Sequence, residues 1–445
     1  MTPRQAALLS VNSSIKNGRY SNLEVSSVIK KYKFEGLDKS FFTALFYGTV
    51  EKLITLDYII KKFSSVKFEK IDNMVLCLLR TGIYQILFMD RVPDSAACCE
   101  SVELAKRYCP KSSVSFVNAV LRSVARSKDK IFETISKEKE LTRISVFSSI
   151  PEEIISLWVR DYGKDTALKI ANHFAALPPS VTLRVNTLKI TREALLSSLG
   201  KIASASDVCL SAIVLSGSFP VEEIYGFEQG LFFVQDISSQ LASSLINPES
   251  LSSTCLSPEN AVIADVCACP GGKSFSCAIN LNNKARIYAS DLHENKLSLI
   301  TNAASRLGIS NISVCAHDAK TENSALINKC DAVICDVPCS GLGVIAKKPD
   351  IRYKPLKGTE KLPEIQYKIL KTSSSYVKAG GFIVYSTCTL NKRENEDIIN
   401  KFLSENKNFK LEKTGLPNDN AGMITIFPFD FSSDGFFVAK LVRIK

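Results

Sequence analysis

Two cysteines stand in short motifs that can carry nucleophilic chemistry. Cys339 lies in DVPCSGLG at 336–343, and Cys388 lies in STCT at 386–389. Each motif directly follows a short β-rich run. A single cysteine after a strand is most often a small buried hydrophobe. Two thiols in loops at the carboxyl ends of parallel strands meet at the ligand-binding edge of a sheet, which favours a chemical role.

The chemistry that suits such a thiol is covalent activation of a pyrimidine base. C5 of cytosine is a poor nucleophile. A thiolate that adds to C6 turns C5 into an enamine-like carbon able to attack a methylsulfonium, which splits one difficult step into easier ones. Asp336, three residues before Cys339, could hydrogen-bond the pyrimidine edge and hold N3 protonated as the adduct forms.

Three acids follow successive predicted strands. Asp265 opens DVCACPGGK at 265–273, Asp291 ends the second strand, and Asp318 ends the third. A carboxylate at such a strand end can bind ribose hydroxyls, and the Gly-Gly turn lets the backbone approach a ligand. The loop is not G-x-G-x-x-G, so no pyrophosphate site is indicated. The pattern predicts a nucleoside-containing cofactor. S-adenosylmethionine fits, because it needs ribose and adenine contacts but no phosphate site.

The elements that must position these residues form an α/β domain at 236–445. Strands and helices alternate there at a spacing that predicts a parallel sheet covered on both faces. The predicted strands are 261–266, 287–290, 312–316, 332–335, 382–385 and 436–441, with another near 409–411, and the main helical stretches are 293–307 and 361–378.

The chain before this domain is expected to contain two further parts. Residues 1–130 show helical periodicity at 41–60, 74–88, 95–108 and 114–124, which predicts an all-α domain. Residues 131–235 are predicted to form linker helices, with Trp158 as a core anchor, and a small α+β subdomain.

The basic charge is concentrated at the amino-terminal end of the chain. Residues 1–150 hold 24 basic and 15 acidic residues, a net +9 of the total +11. This excess is expected if that part meets a polyanion, although a Lys-rich, solvated helical face explains it equally well.

Composition excludes several classes of protein. Of 445 residues, 45% are hydrophobic and 23% charged, which excludes collagen-like, low-complexity and wholly disordered chains. No apolar run reaches 18 residues and the first 20 residues lack a secretory pattern, so a cytoplasmic location is expected. Fourteen cysteines without a C-x-x-C pair, together with three scattered histidines, predict neither a disulfide framework nor a metal site.

The motifs together resemble a known family. DVCACPGGKS, DVPCSGLG and STCTLNKREN resemble the RNA cytosine-C5 methyltransferases of the Nop2/NSUN/RsmB superfamily. LRTGIYQILFMDRVPDSAACCESVELAK at 79–106 and FVNAVLR at 116–122 look like the NusB-like RNA-binding domain of its RsmB (Sun/Fmu) branch. LRVNTL at 183–188, QDISSQLA at 235–242 and DGFFVAKL at 434–441 match that branch as well, so the resemblance covers nearly the whole chain.

The resemblance implies a bacterial enzyme that methylates C5 of a cytosine in 16S small-subunit rRNA. It implies a Rossmann-like class I methyltransferase domain with a mostly parallel, seven-stranded sheet. Carried over residue by residue, Cys388 is the nucleophile, Cys339 assists release of the methylated base, and Asp336 lies between cofactor and base. Lys273 is expected near the cofactor carboxylate or the RNA. The implied cofactor contacts are Cys267, Ala268, Cys269, Pro270, Gly271, Gly272, Lys273, Asp291, Asp318 and Asp336.

Departures from the family pattern are mild, and other functions stay open. Cys269 and Val337 stand where the family usually has alanine, and Lys347-Lys348 replaces a commonly Arg-rich stretch, which loses bidentate phosphate contacts. A tRNA substrate is one alternative. A non-catalytic RNA-binding ribosome-assembly factor is another. We expect a monomer that binds RNA but neither DNA nor membrane.

Overall fold

The computed structural model describes residues 1–17, 21–176, 180–217, 220–252, 254–255, 257–419 and 421–444. The chain forms two compact units. One comprises Met1–Leu177 together with Ile345–Lys354, and the other comprises Pro178–Val344 together with Pro355–Lys445. The expected arrangement of an all-α amino-terminal part, a small α+β subdomain and a mostly parallel α/β domain is confirmed.

The first unit is helical. Its helices are α1 (Pro3–Asn17), α2 (Ser21–Tyr32), α3 (Gly36–Glu51), α4 (Leu53–Phe63), α5 (Asn73–Phe88), α6 (Asp94–Tyr108), α7 (Lys111–Arg126), α8 (Lys128–Ser136), α9 (Glu140–Ser148), α10 (Glu152–Tyr162) and α11 (Lys164–Ala176). The most buried of these is α5, in which residues on every face are buried. Asp72 begins α5 by accepting the backbone N–H groups of Met74 and Val75.

The predicted helical segment 41–60 is in fact two helices. α3 ends at Glu51 and α4 begins at Leu53, because Lys52 (φ −97°, ψ 19°) leaves the helical conformation. The hydroxyl of Ser149 accepts the Ile54 N–H at 3.0 Å and so satisfies a donor in the first turn of α4. The break was invisible in the sequence because both helices bury apolar residues at the same spacing. Trp158 is fully buried against Phe174, as predicted.

The segment Ile345–Lys354 completes the first unit. It contains a short 3₁₀ helix, Pro349–Tyr353. The fully buried guanidinium of Arg352 donates to the carbonyls of Ser148 (3.2 Å) and Glu51 (3.4 Å), which end α9 and α3. The Tyr353 hydroxyl also donates to the Glu51 carbonyl, at 2.8 Å. A cation on two helix carboxyl ends satisfies carbonyls that have no partner within their own helices.

The second unit begins with a small antiparallel sheet in the order β2-β3-β1-β4. Its strands are β1 (Val181–Val185), β2 (Ala203–Ala205), β3 (Ala212–Leu215) and β4 (Phe232–Val234), with α12 (Arg192–Leu199) between β1 and β2. This is the predicted α+β subdomain.

A larger sheet carries the cysteine and acid motifs. Its elements are α13 (Ile237–Ser244), β5 (Val262–Asp265), α14 (Gly272–Asn280), β6 (Arg286–Asp291), α15 (Leu297–Leu307), β7 (Ile312–Ala316), β8 (Cys330–Asp336), α16 (Leu362–Ser374), β9 (Val377–Thr387), α17 (Glu396–Glu405), β10 (Phe409–Leu411), β11 (Met423–Ile426), α18 (Pro428–Phe431) and β12 (Phe436–Arg443).

The sheet runs in the order β10-β12-β9-β8-β5-β6-β7, with β5 to β9 parallel and β12 antiparallel to β9. This path has the seven expected strands, and β11 adds an eighth by pairing with β12. The strand order reverses at β5, which pairs with β6 on one side and β8 on the other. In such sheets ligands bind at this switch point, outside the carboxyl ends of the strands.

The predicted bounds of three elements in this domain were wrong. β9 extends over Val377–Thr387, whereas the prediction was 382–385. The prediction was too short because the Gly-Gly pair at 380–381 resembles a loop in the sequence. The preceding helix therefore ends at Ser374 rather than 378. Helix α15 begins at Leu297 rather than 293, after a 3₁₀ turn at Glu294–Lys296. Among the described ranges, no helix is long and apolar enough to cross a membrane.

Candidate active site

The two thiols singled out in the sequence lie next to each other. Cys339 follows β8 and Cys388 follows β9, and these neighbouring parallel strands end in register. The two Sγ atoms are 3.3 Å apart, and both residues are partly exposed. A backbone hydrogen bond from the Gly343 N–H to the Cys388 carbonyl (3.0 Å) joins the two loops. One substrate atom can therefore approach both sulfurs.

The environment of Cys339 favours its protonated form. Its hydrogen bond with Cys388, its burial and the negative charge of Glu394 together raise the pKa of the Cys339 thiol well above its ordinary value. A thiol that keeps its proton at neutral pH can donate a hydrogen bond to the neighbouring sulfur. The arrangement suits Cys388 as the attacking sulfur and Cys339 as its donor.

Asp336 is held by a cation and a hydroxyl. Its Oδ2 accepts the Lys273 ammonium at 2.6 Å, and its Oδ1 accepts the Ser386 hydroxyl at 2.6 Å. The Lys273 side chain is buried, with its ammonium 5.2 Å from the centre of the Phe436 ring. The sequence placed Lys273 near a cofactor carboxylate or the RNA, whereas the structure places it on Asp336. Each carboxylate oxygen keeps a lone pair for a substrate donor.

The loop after β5 offers an open backbone surface. The Ala268 N–H donates to the Ser290 carbonyl at 2.9 Å, which ties this loop to β6. Gly271 has φ +109°, and a Cβ there would lie 2.3 Å from the Phe275 ring, so only glycine fits. Beside it, Gly272 begins α14, and a Cβ there would contact only the Gln235 amide at 3.6 Å. Pro270, after a cis peptide bond, is exposed.

Asp291 ends β6 as expected and is fixed by the loop beside it. Its Oδ2 accepts the Cys269 N–H at 3.2 Å, and its Oδ1 accepts the His293 N–H at 3.1 Å. The residue is partly exposed, so its carboxylate can accept further hydrogen bonds. A carboxylate in this state suits two vicinal hydroxyls, so the site fits a ribose.

Asp318 lies two residues beyond the end of β7, not on its last residue as predicted. Its Oδ1 accepts the Lys320 N–H at 3.0 Å, and the Lys320 ammonium lies 3.3 Å from Oδ2. Burial alone would raise the pKa of Asp318, but these Lys320 contacts lower it below its ordinary value. The ionised group only accepts hydrogen bonds, which suits an exocyclic amino group.

Asp265 does not join the exposed acids. It is buried, and its Oδ2 accepts the Ser274 hydroxyl at 2.7 Å. Burial raises its pKa to about 7. Cys267, two residues later, also has a thiol pKa raised well above its ordinary value, chiefly by burial. Both residues belong to the buried part of the loop after β5. Among the described residues, no cluster of three or more His, Cys, Asp or Glu side chains is placed to hold a metal.

Sequence reasoning missed the residues that hold the two cysteine loops together. Glu394 and Asn395 are fully buried and hydrogen-bond to neighbours of both cysteines. Both residues stood in the quoted stretch STCTLNKREN, but nothing in their types showed that they fold back beneath the loops.

Family models match three parts of the chain. The model described as 16S rRNA methyltransferase RsmB/F matches residues 253–442. The NusB family model matches residues 1–126. The ferredoxin-like domain of RsmF/B-like methyltransferases matches residues 150–222. The order of the three matches follows the order of the helical part, the small sheet and the large sheet.

Individual proteins resemble all or most of the chain. The probable ribosomal RNA small subunit methyltransferase B of Bacillus subtilis (strain 168) is 35% identical, with 98% of each chain covered. A protein of the same description from Synechocystis sp. is 31% identical, with 100% of each covered. Among solved structures, PH0851 has a TM-score of 0.79 at 24% identity, covering 100% of this chain and 99% of its own. NSun6 from Pyrococcus horikoshii with SFG has a TM-score of 0.57 at 23% identity, covering 67% of this chain and 100% of its own.

Proposed function

Because the chain belongs to the ribosomal RNA small subunit methyltransferase B family, we propose that it methylates C5 of a cytosine in 16S rRNA. The methyl donor we propose is S-adenosylmethionine, and Cys388 forms a covalent adduct with C6 of the base. The observation that carries this proposal is the 3.3 Å separation of the Cys339 and Cys388 sulfurs, beside the Lys273–Asp336 pair.

The cofactor site that we propose lies over the carboxyl ends of β5, β6 and β7. Asp291 accepts the ribose hydroxyls and Asp318 the adenine amino group, while the open backbone at Gly271–Gly272 receives the rest of the ligand. The bound donor supplies an electrophilic methyl group on its sulfonium. Because β5 pairs with both β6 and β8, its loop lies between these acids and the cysteine loops.

The two cysteines have different roles: Cys388 adds to the base and Cys339 assists its release. The Cys388 thiolate adds to C6, and the electron pair that reaches C5 bonds to the methyl carbon. The bond from that carbon to the donor's sulfonium breaks at the same time, and its electron pair leaves with the sulfur as a neutral thioether. When a water molecule takes the C5 proton, the C5–H electron pair re-forms the C5–C6 double bond and expels the Cys388 sulfur as a thiolate. Cys339 assists that release, because its protonated thiol, 3.3 Å away, donates a hydrogen bond to the departing thiolate.

Asp336 holds the base during these steps. Lys273 and Ser386 fix its carboxylate in one orientation. Its remaining lone pairs accept a hydrogen bond from N3 of the pyrimidine and hold N3 protonated as the adduct forms. Fixing the carboxylate before the base arrives avoids a cost of ordering it during the reaction. Lys273 therefore acts through Asp336.

Binding of the rRNA backbone falls to the helical part of the chain. Residues 1–150 carry a net charge of +9, and residues 1–126 match the NusB family. Lysines and arginines that neutralise phosphates give affinity that does not depend on sequence and that decreases with salt.

The experiment that tests the proposal compares two cysteine variants with an exposed cysteine as control. Cys388→Ser should abolish methyl transfer and retain S-adenosylmethionine binding. Cys339→Ala should accumulate a protein–RNA adduct that survives denaturing electrophoresis, because addition proceeds and release stalls. Cys315→Ser, on β7 and exposed, should behave as the parent. Parental methylation rates in both Cys388→Ser and Cys339→Ala would exclude this mechanism.

A further inference from the structure

A buried carboxylate lies beneath the cysteine loops. Glu394 is fully buried and accepts four hydrogen bonds. Its Oε2 accepts the Ser340 N–H at 2.9 Å and the Gln366 amide at 2.8 Å. Its Oε1 accepts the Ser340 hydroxyl at 2.5 Å and the Asn391 amide at 2.9 Å. Two of the four donors belong to the residue that directly follows Cys339.

The next residue along the chain holds the other cysteine. Asn395 is also fully buried, and its Oδ1 accepts the Thr387 hydroxyl at 2.6 Å. Its amide donates to the Thr389 carbonyl at 2.9 Å. Thr387 and Thr389 are the two neighbours of Cys388. Two consecutive residues therefore bind the flanking residues of both cysteines.

Further bonds close the network on the Cys339 side. The Ser340 hydroxyl lies 2.7 Å from the Thr389 hydroxyl and so links the two loops directly. The Gln366 amide donates to the Pro338 carbonyl at 2.9 Å as well as to Glu394. Residues on both sides of Cys339 are thus bonded to one rigid support.

We propose that Glu394 is a positioning residue that sets the distance between the two reactive sulfurs and places a negative charge beneath Cys339. Burying a carboxylate costs free energy, so packing alone does not explain why Glu394 is buried. Its hydrogen-bond donors lie in the cysteine loops and in the residues that hold those loops. The charge of Glu394 is also among the causes that raise the pKa of Cys339. The inference rests on the proposed two-cysteine reaction, in which that distance and that proton matter.

The first test measures sulfur geometry without RNA or cofactor. Diamide oxidises two adjacent thiols to a disulfide by taking two electrons and two protons, and peptide mapping by mass spectrometry quantifies the Cys339–Cys388 bond. Glu394→Gln replaces one acceptor oxygen by a donor amide that opposes existing donors. Its cross-linking rate should be about tenfold below that of the parent. Glu396→Gln is the matched control, because Glu396 is partly buried two residues away and bonds Thr425 instead.

The second test measures the charge. In a Cys388→Ser background, alkylation of Cys339 by iodoacetamide is followed against pH. Adding Glu394→Gln should move the alkylation profile to lower pH, because a thiolate near a negative charge is disfavoured. Should Glu394→Gln fold poorly, Ser340→Ala deletes the bridging hydroxyl alone and should slow cross-linking about threefold.

Either result can contradict the inference independently of the proposed function. In folded Glu394→Gln, a parental cross-linking rate would overturn its role in setting the sulfur distance, and a parental alkylation profile would overturn the role of its charge, even if the protein methylates RNA. Conversely, altered cross-linking together with an absence of methylated cytidine from the parent would leave the geometry intact and reject the reaction.

Discussion

The substitution Gly343→Ala tests most sharply whether the close contact between the cysteine loops controls activity. A Cβ at Gly343 would lie 1.9 Å from the Gly435 carbonyl oxygen, 2.5 Å from its carbon and 2.9 Å from the Cys388 oxygen. All three atoms are backbone, so no side-chain rotation relieves the clash. The loop must retreat by roughly 1.5 Å to lengthen the 1.9 Å distance between the Cβ and the Gly435 oxygen to an ordinary contact of 3.4 Å.

Displacing the loop should lower both the unfolding free energy and the rate of methyl transfer. It breaks the hydrogen bonds from Gly343 to Cys388 and from Gly435 to Gly343 (3.0 and 2.8 Å), each worth about 1 kcal/mol. Together with strain from overpacking, we expect about 2–4 kcal/mol of lost unfolding free energy. Displacing a reacting group by about 1 Å lowers the rate about a hundredfold, which is the larger consequence for function.

The assay compares urea unfolding, S-adenosylmethionine binding and single-turnover methyl transfer in Gly343→Ala and Gly358→Ala. Gly358 has open space around its Cβ position and an ordinary φ, so alanine there should leave all three close to the parent. Equal transfer rates in the two variants, both folded, would refute the reasoning that the loop contact positions the sulfurs.

Three further predictions concern other buried charges. The raised pKa of Asp265, about 7, means that its protonated form favours folding and that this contribution is lost as the pH rises from about 4 to 7. Between pH 5 and 8 the unfolding free energy of the parent, measured with urea, should therefore decrease by about 2–3 kcal/mol more than that of Asp265→Asn. The same dependence of unfolding free energy on pH in both proteins would contradict this. Lys273→Met removes the cation on Asp336 and should lower the transfer rate about tenfold or more with cofactor affinity kept, as measured by calorimetry. Arg352→Met removes the donor to the Ser148 carbonyl and leaves the Glu51 carbonyl with Tyr353 alone, and it should destabilise the protein by about 2 kcal/mol, visible as a lower Tm.

Residue types and their positions after strands predicted much of the site. Cys339 and Cys388 were expected at one edge because parallel strands end on the same side, and the structure places their sulfurs 3.3 Å apart. Asp291 was expected at a strand end for the same reason. A strand-end position, however, does not show whether a side chain faces outward, and Asp265 is buried beneath its loop.

Features that depend on contacts between distant segments were not predictable. Lys273 and Asp336 pair across 63 residues, and no local pattern links them. Glu394 reaches Ser340 across 54 residues. The donor that follows the helix break at Lys52 is satisfied by Ser149, nearly a hundred residues away. Strand β11 was missed because it is four residues long and only half buried.

The most direct test of the central claim is the identity of the methylated nucleoside. The protein is incubated with methyl-labelled S-adenosylmethionine and either small-subunit rRNA, assembled small subunits or bulk tRNA, and the digested nucleosides are separated by mass. Label in 5-methylcytidine from small-subunit rRNA, free or assembled, and its loss in Cys388→Ser is the predicted result. Label in tRNA alone, in another nucleoside, or in none of the three substrates despite bound cofactor would contradict the account.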